Sequence, residues 1–191
     1  MSKASVTRTT KETQITVKLN IYGKGSSKVN TGINYLDHMI TSLSFHSMID
    51  IDLNAKGDFI HHVAEDVGIT LGECLGKALG DRKGINRFGS AIVPMDDSSA
   101  SVNIDLAKRP YSVVNLKIEK DGVEDMVRED IEHFVRSLAT ALQSNIHINV
   151  QYGENDHHKT EAAFKALALS LRMAMKLDPQ RMGTPSSKGM I

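Results

Sequence analysis

Six of the eight histidines in this 191-residue chain fall into a pattern. His157-His158-x-x-Glu161 and His61-His62-x-x-Glu65 are two copies of one motif. Each copy has a lone histidine upstream at matching distance: His38 lies 23 residues before His61, and His133 lies 24 before His157. Imidazole nitrogens and carboxylate oxygens, with no thiolate among them, suit Mn²⁺, Fe²⁺ or Zn²⁺. On a helix, residues four apart share a stripe, while neighbours diverge by about 100°. His157 then faces the same way as Glu161, and His158 points elsewhere. Two diverging imidazoles cannot easily grip one ion from one helix, but they can serve two ions, one on either side. Six histidines and two carboxylates over two ions give about four ligands each, which leaves an octahedral ion about two positions for water or substrate. The octahedral preference favours Mn²⁺, whereas the affinity order favours Zn²⁺.

Basic residues add a second kind of chemistry. Arg87, beside Gly89 and Ser90, and Arg109, before Pro110, carry planar forks that suit phosphate. Lys165 is four residues past Glu161, so it projects on the stripe of a proposed ligand. Ser186, Ser187 and Lys188 offer hydroxyls and an ammonium near the C-terminus. Each of these, taken alone, also fits a solvated surface. His46 and His147 lack counterparts at matching spacing and are read as structural.

The elements that position these groups follow from periodicity. Ile15, Val17, Leu19 and Ile21 alternate with polar residues as a half-buried strand, with a shorter one around Val6. Val29–Ile33 and Met48–Leu53 read as strands, and Asn34 to about His46 as a helix with His38 near its start. The first His-His helix runs from about His61 to Leu79, and Gly80 to Gly84 close the unit. The second half repeats the order. Ala91–Pro94, Ser101–Leu106 and Ser112–Ile118 read as strands, and a helix spans about Met126 to Ser144. Ile146–Gln151 is the last strand before the second His-His helix. That helix carries good helix formers through Met175 with no Gly or Pro. Self-similarity on this scale implies a duplicated unit. The expected fold is α/β (α+β), in strands-helix-strand-helix halves at about 5–84 and 85–178, each helix pair covering one face of a small sheet. The tail 179–191, with Pro185, two glycines and Ser186-Ser187-Lys188, is expected to be irregular.

Composition bounds the function. Apolar residues make up 40% and charged ones 24%, as in ordinary globular proteins. Lys+Arg and Asp+Glu balance at 23 each with no basic run, which disfavours nucleic acid and anionic membrane as partners. There is no tryptophan, so no stacking platform for bases is expected. No apolar stretch is long enough for a bilayer span or a secretory signal. The single cysteine, Cys74, fits a reducing compartment, and its place in a helical run predicts a buried thiol.

Further motifs carry a resemblance. Leu36-Asp37-His38-Met39, His61-His62-x-x-Glu65-Asp66, Arg87-Phe88-Gly89-Ser90, Val93-Pro94-Met95-Asp96 and Arg109-Pro110-Tyr111 occur in that order. Tyr152-Gly153-Glu154-Asn155-Asp156-His157-His158, Phe164-Lys165-Ala166-Leu167 and Ser186-Ser187-Lys188-Gly189 follow. Over nearly its whole length the chain resembles the imidazoleglycerol-phosphate dehydratase family. It departs in the lead-in Gly57-Asp58-Phe59-Ile60, shorter than usual there, and in Val63 where the family usually has threonine.

The resemblance implies one domain of two repeats, each a four-stranded sheet with two helices on one face. It implies a cytoplasmic enzyme of histidine biosynthesis with two Mn²⁺ per active site, built at subunit contacts in a 24-subunit homo-oligomer. Metal ligands map onto His38, His61, His62, Glu65, His133, His157, His158 and Glu161. Contacts to a small phosphate substrate map onto Glu12, Arg87, Arg109, Lys165, Ser186, Ser187 and Lys188. Catalytic positions are Glu12, His38, Glu65 and Glu161, with Glu12 the carboxylate nearest the abstracted proton. The implied reaction dehydrates imidazoleglycerol phosphate to imidazoleacetol phosphate through a metal-bound imidazolate and a diazafulvene-like intermediate. The bare residues also fit a dinuclear metallohydrolase, which would release inorganic phosphate, or a metal-buffering shell. The shell reading leaves Arg87, Arg109 and the Ser-Ser-Lys tail without a task.

Overall fold

The computed structural model describes residues 2–191. The first half holds β1 (Lys3–Thr9), β2 (Thr13–Asn20), β3 (Ser27–Asn30), α1 (Asn34–Ser47), β4 (Asp50–Gly57) and α2 (Ile60–Leu79). The second holds β5 (Phe88–Met95), β6 (Ser98–Asp105), β7 (Tyr111–Asn115), the short pair β8 (Gly122–Val123) and β9 (Met126–Val127), α3 (Arg128–Leu142), β10 (Asn145–Tyr152) and α4 (Asp156–Met175). The strand orders β1-β2-β4-β3 and β5-β6-β10-β7 are the same topology written twice. In each, two antiparallel pairings precede one parallel pairing. The expected duplicated α/β architecture is therefore present.

Each sheet buries one face. Ile15, Val17, Ile51 and Leu53 point inward from the first sheet, and Val102, Ile104, Ile146 and Ile148 from the second. These alternate with exposed polar positions, as a one-sided sheet requires. The helices fill the space between the sheets, and they pair across the halves: α1 packs on α4, and α2 on α3. Small residues permit the second crossing. A Cβ on Gly68 would lie 2.7 Å from the Phe134 carbonyl oxygen, and one on Gly72 2.7 Å from that of Leu138. One continuous apolar core results, with Phe134 and Phe164 stacked at 5.9 Å.

Several sequence expectations need correction, beginning with the strands expected over Val29–Ile33 and Met48–Leu53, which lie at Ser27–Asn30 and Asp50–Gly57. The helix expected from Met126 begins at Arg128, because Gly122–Val123 and Met126–Val127 form a hairpin. The strand expected over Ser112–Ile118 is Tyr111–Asn115, ending where pairing with Asn149 of β10 ends. The strands expected over Ala91–Pro94 and Ser101–Leu106 extend to a tight hairpin, Phe88–Met95 against Ser98–Asp105, with Asp96 at φ 45° in the turn. Cys74 is buried, as expected. The tail beyond Asp178 forms no helix or strand.

Candidate metal centre and anion pocket

The cross-packing of helices decides which histidines meet. His38, near the start of α1, joins His157 and Glu161 on α4: His157 Nε2 lies 3.2 Å and His38 Nε2 3.4 Å from Glu161 Oε2. His133 on α3 joins His61 and Glu65 on α2, with His133 Nε2 3.4 Å from Glu65 Oε1 and the two imidazoles stacked at 5.2 Å. In each trio one nitrogen or oxygen from every residue lies within 4.8 Å of the others, close enough to hold one ion. The lone histidine of one half thus completes the motif of the other half, not its own. Two imidazoles and one carboxylate, with no thiolate, form a donor set that fits a divalent first-row ion.

His62 and His158 stand apart from both trios, for the reason the helix geometry gives. The rings of His157 and His158 are 6.2 Å apart and edge-on, and those of His61 and His62 are 6.1 Å apart. All four paired histidines are steered by a carboxylate at Nδ1. His61 donates to Asp130 (2.6 Å), His62 to Asp58 (2.7 Å) and His157 to Glu124 (3.0 Å). His158 donates to Asp97. A carboxylate at Nδ1 fixes the tautomer and leaves Nε2 as the ligating nitrogen. The hydrogen bond from Asp58 raises the pKa of His62, and that from Asp97 raises the pKa of His158. Both carboxyls are correspondingly held below their ordinary range.

The helix starts are fixed to suit. Asn155 Oδ1 caps α4, accepting from the His157 amide at 2.8 Å. Asp125, on the β8–β9 turn, accepts from the Asn34 and Tyr35 amides at 2.7 and 2.9 Å, capping α1 from the other half. Beside His157, Tyr35, His38, Glu124 and Asp125 line a cavity of about 470 Å³. Lys165 Nζ sits 2.9 Å from Glu161 Oε1 and 3.1 Å from Met95 Sδ. Burial pushes the Glu161 pKa up, but the hydrogen bond and charge of Lys165, with those of His38, hold it below the usual range. Glu12, on the β1–β2 loop, has its carboxylate 3.8 Å from His62 Nδ1.

The phosphate candidates gather elsewhere. Arg87, Arg109, Ser186, Ser187 and Lys188 line one cavity of about 410 Å³. Arg87 pairs bidentately with Asp105, Nε–Oδ1 2.6 Å and Nη2–Oδ2 2.9 Å, and donates from Nη1 to the Pro185 carbonyl at 2.8 Å. The tail is pinned there by the Gly84 amide to the Gly183 carbonyl (3.1 Å) and the Asp178 amide to the Gly84 carbonyl (2.8 Å).

This cavity is far from the histidines of its own chain. The Arg87 amide donates to the Ala174 carbonyl, at the last turn of α4, whereas His157 and Glu161 occupy its first turns. From His157 to Ala174 the helix rises about 25 Å at about 1.5 Å per residue. Strand β5 gives a similar span, with Phe88 beside Arg87 and Met95 beside Lys165, about 23 Å at about 3.3 Å per residue. The sequence reading places the substrate contacts in one group, and the structure divides them into three: the five cavity residues, Lys165 at Glu161, and Glu12 at His62. Sequence patterns alone do not single out Asp58, Asp97, Asp130 or Glu124. Only Asp58 carries a signal, sitting four residues before His62.

Among known proteins, a family model described as imidazoleglycerol-phosphate dehydratase matches residues 31–171. A relative of that name from Dehalococcoides mccartyi (strain ATCC BAA-2266 / KCTC 15142 / 195) is 47% identical over 98% of this chain and 96% of its own length. One from Phytophthora nicotianae is 47% identical over 99% of this chain, which spans 42% of that longer protein. A crystal structure of IGPD from Pyrococcus furiosus superposes with a TM-score of 0.86 at 40% identity, covering 97% of this chain and 100% of the other. The crossed histidine trios and the anion cavity are thus features of a chain that belongs to the imidazoleglycerol-phosphate dehydratase family, hydro-lyases of histidine biosynthesis.

Proposed function

We propose that this chain dehydrates imidazoleglycerol phosphate to imidazoleacetol phosphate, using two Mn²⁺ ions per active site. The observation that carries this is the pair of His-His-Glu trios, alike in donor type and placed at equivalent points of the two halves. His38, His157 and Glu161 would hold one ion, and His61, His133 and Glu65 the other. His62 and His158 face outward from those trios and would ligate ions shared with neighbouring copies. A bound ion supplies Lewis acidity, lowering the pKa of an imidazole that ligates it and so favouring loss of the hydroxyl on the adjacent carbon.

The chain's own groups handle the rest. Glu12, exposed and beside His62, takes the proton from the neighbouring carbon, and the resulting enol ketonises. The departing hydroxyl leaves as water with one proton, so the product keeps its phosphate. Arg87, Arg109 and Lys188 neutralise that phosphate, with Ser186 and Ser187 donating hydroxyl hydrogen bonds. Lys165, held at Glu161, is a cation for the polar end of the substrate. A metallohydrolase would give inorganic phosphate in place of an enolisable ketone, and the family match favours the ketone.

A substrate with three carbons between ring and phosphate spans roughly 10 Å at ordinary bond lengths. Along α4 the His157–Glu161 end and the phosphate cavity of one chain are about 20–25 Å apart, roughly twice that span. This supports an active site assembled from more than one copy, the arrangement that goes with a 24-subunit shell. Phe59 and Ile60, 65% and 47% exposed immediately before His61, offer apolar surface for such a contact. The two repeats with their shared core act as one unit. No helix among the described residues is long and apolar enough to cross a membrane, and a biosynthetic role supports a cytoplasmic location.

The test is turnover of imidazoleglycerol phosphate after chelation, with Mn²⁺, Zn²⁺ or Mg²⁺ returned separately. Loss of the ketone product on chelation and its return with Mn²⁺ is expected. Undiminished turnover in metal-free enzyme would overturn the proposal.

A further inference from the structure

The two trios share a donor set but not its surroundings. Glu161 has Lys165 four residues on, with Nζ 2.9 Å from Oε1. At the equivalent place after Glu65 stands Ile69, partly exposed and uncharged. The carboxylates behind the histidines differ too. Asp130, which holds His61, is buried on α3, three residues before His133. Three residues before His38 the first half has Tyr35, whose ring lies 5.3 Å from that of His157. His157 therefore relies on Glu124, an exposed side chain on the β8–β9 turn at φ 53°.

We propose that the two trios bind their ions unequally, with His61–Glu65–His133 the tight site and His38–His157–Glu161 the weak one, and with Lys165 as the main cause. This rests on the reading that the trios hold metal at all. An ammonium in contact with a ligating carboxylate competes for its lone pairs and repels a divalent cation. A buried carboxylate on a helix holds its imidazole with less loss of freedom than an exposed glutamate on a turn. Both differences act in the same direction. They also give the Lys165 charge a second role: an ion arriving at Glu161 loosens the pair and releases the ammonium, so filling of the weak site is coupled to the availability of a cation for the substrate.

The experiment equilibrates full-length, Mn²⁺-loaded protein against chelator-buffered free Mn²⁺ and counts bound ions per chain by atomic absorption, without reference to turnover. The wild type is expected to release its ions in two steps separated by about tenfold or more in free Mn²⁺, the scale of one unit charge at a partly exposed contact. Lys165→Met should draw the weaker step about tenfold toward the tighter one. Ile69→Lys should weaken the tighter step and leave the other in place, which keeps the idea testable if Lys165→Met folds poorly. Two ions released in a single step, or two steps unmoved by either substitution in folded protein, would overturn the inequality and leave the metal reading standing. A wild type that retains no Mn²⁺ would overturn both.

Discussion

Asp130, Asp58, Glu124 and Asp97 each accept a hydrogen bond from Nδ1–H of one paired histidine, and so leave Nε2 free to act as a donor to an ion. Removing such a partner commonly lowers metal affinity roughly 10- to 100-fold. Asp130→Ala should do so at the His61–Glu65–His133 trio, read by Mn²⁺ titration alongside circular dichroism to establish the fold. An unchanged affinity would mean that Asp130 only supports α3. The raised pKa values of His62 and His158 set a direction with pH. A raised folded-state pKa stabilises the metal-free protein below the ordinary histidine range, and that contribution is lost as pH rises through the raised value. Ion binding needs the neutral imidazoles, so it is favoured above that value. Mn²⁺ affinity should therefore fall on acidification from a pH higher than unperturbed histidines would give. Asp97→Asn should move the onset down, and an unmoved onset would remove Asp97 from the account. At this scale the sequence shows which imidazole and carboxylate share a stripe, because spacing by four on a helix is a geometric statement. It was silent about the supporting carboxylates, which approach from other elements.

The crossing of helices between halves does the assembling. His38 meets Glu161 because α1 packs on α4, and His133 meets Glu65 because α2 packs on α3. Periodicity shows that each helix exists and which face is apolar, but not which helix of the other half it covers, since either pairing would bury the same residues. Gly68 and Gly72 are the sequence trace of the α2–α3 crossing, legible only once the partner backbone is seen. Gly68→Ala should force α2 and α3 apart, costing about 1–3 kcal/mol by overpacking. In thermal melts that is a loss of several degrees, and Mn²⁺ binding at His61 and His133 should weaken with it. A melting temperature at the wild-type value would show that the crossing has slack. The β8–β9 hairpin was missed for a different reason: two-residue strands are too short to carry a period. Its turn nonetheless supplies both Glu124 and Asp125.

Across the whole molecule, chemistry is sorted to opposite ends. The N-terminal turns of α2 and α4 carry the histidines, and the cavity lined by Arg87, Arg109 and Lys188 lies at the C-terminal end of α4. Arg87→Ala should raise KM for the phosphate substrate at least about tenfold, because the cavity loses a guanidinium and the Asp105 carboxylate is left unpaired beside it, with metal content unchanged. The duplicated fold was readable from the twin motifs and alternating strands. The distance between the two kinds of residue was not, because chain order gives no measure of which end of a helix a loop returns to. That distance leads to the central claim, that each working site borrows its phosphate cavity from a different copy than its metal trio. The direct measurement is complementation: Arg87→Ala and Glu161→Gln chains, each slow alone at substrate well below KM, are co-expressed and the mixed assemblies assayed there for the ketone product. Sites that combine the intact trio of one chain with the intact cavity of the other should restore activity. Mixed assemblies as slow as their parents would contradict the shared site.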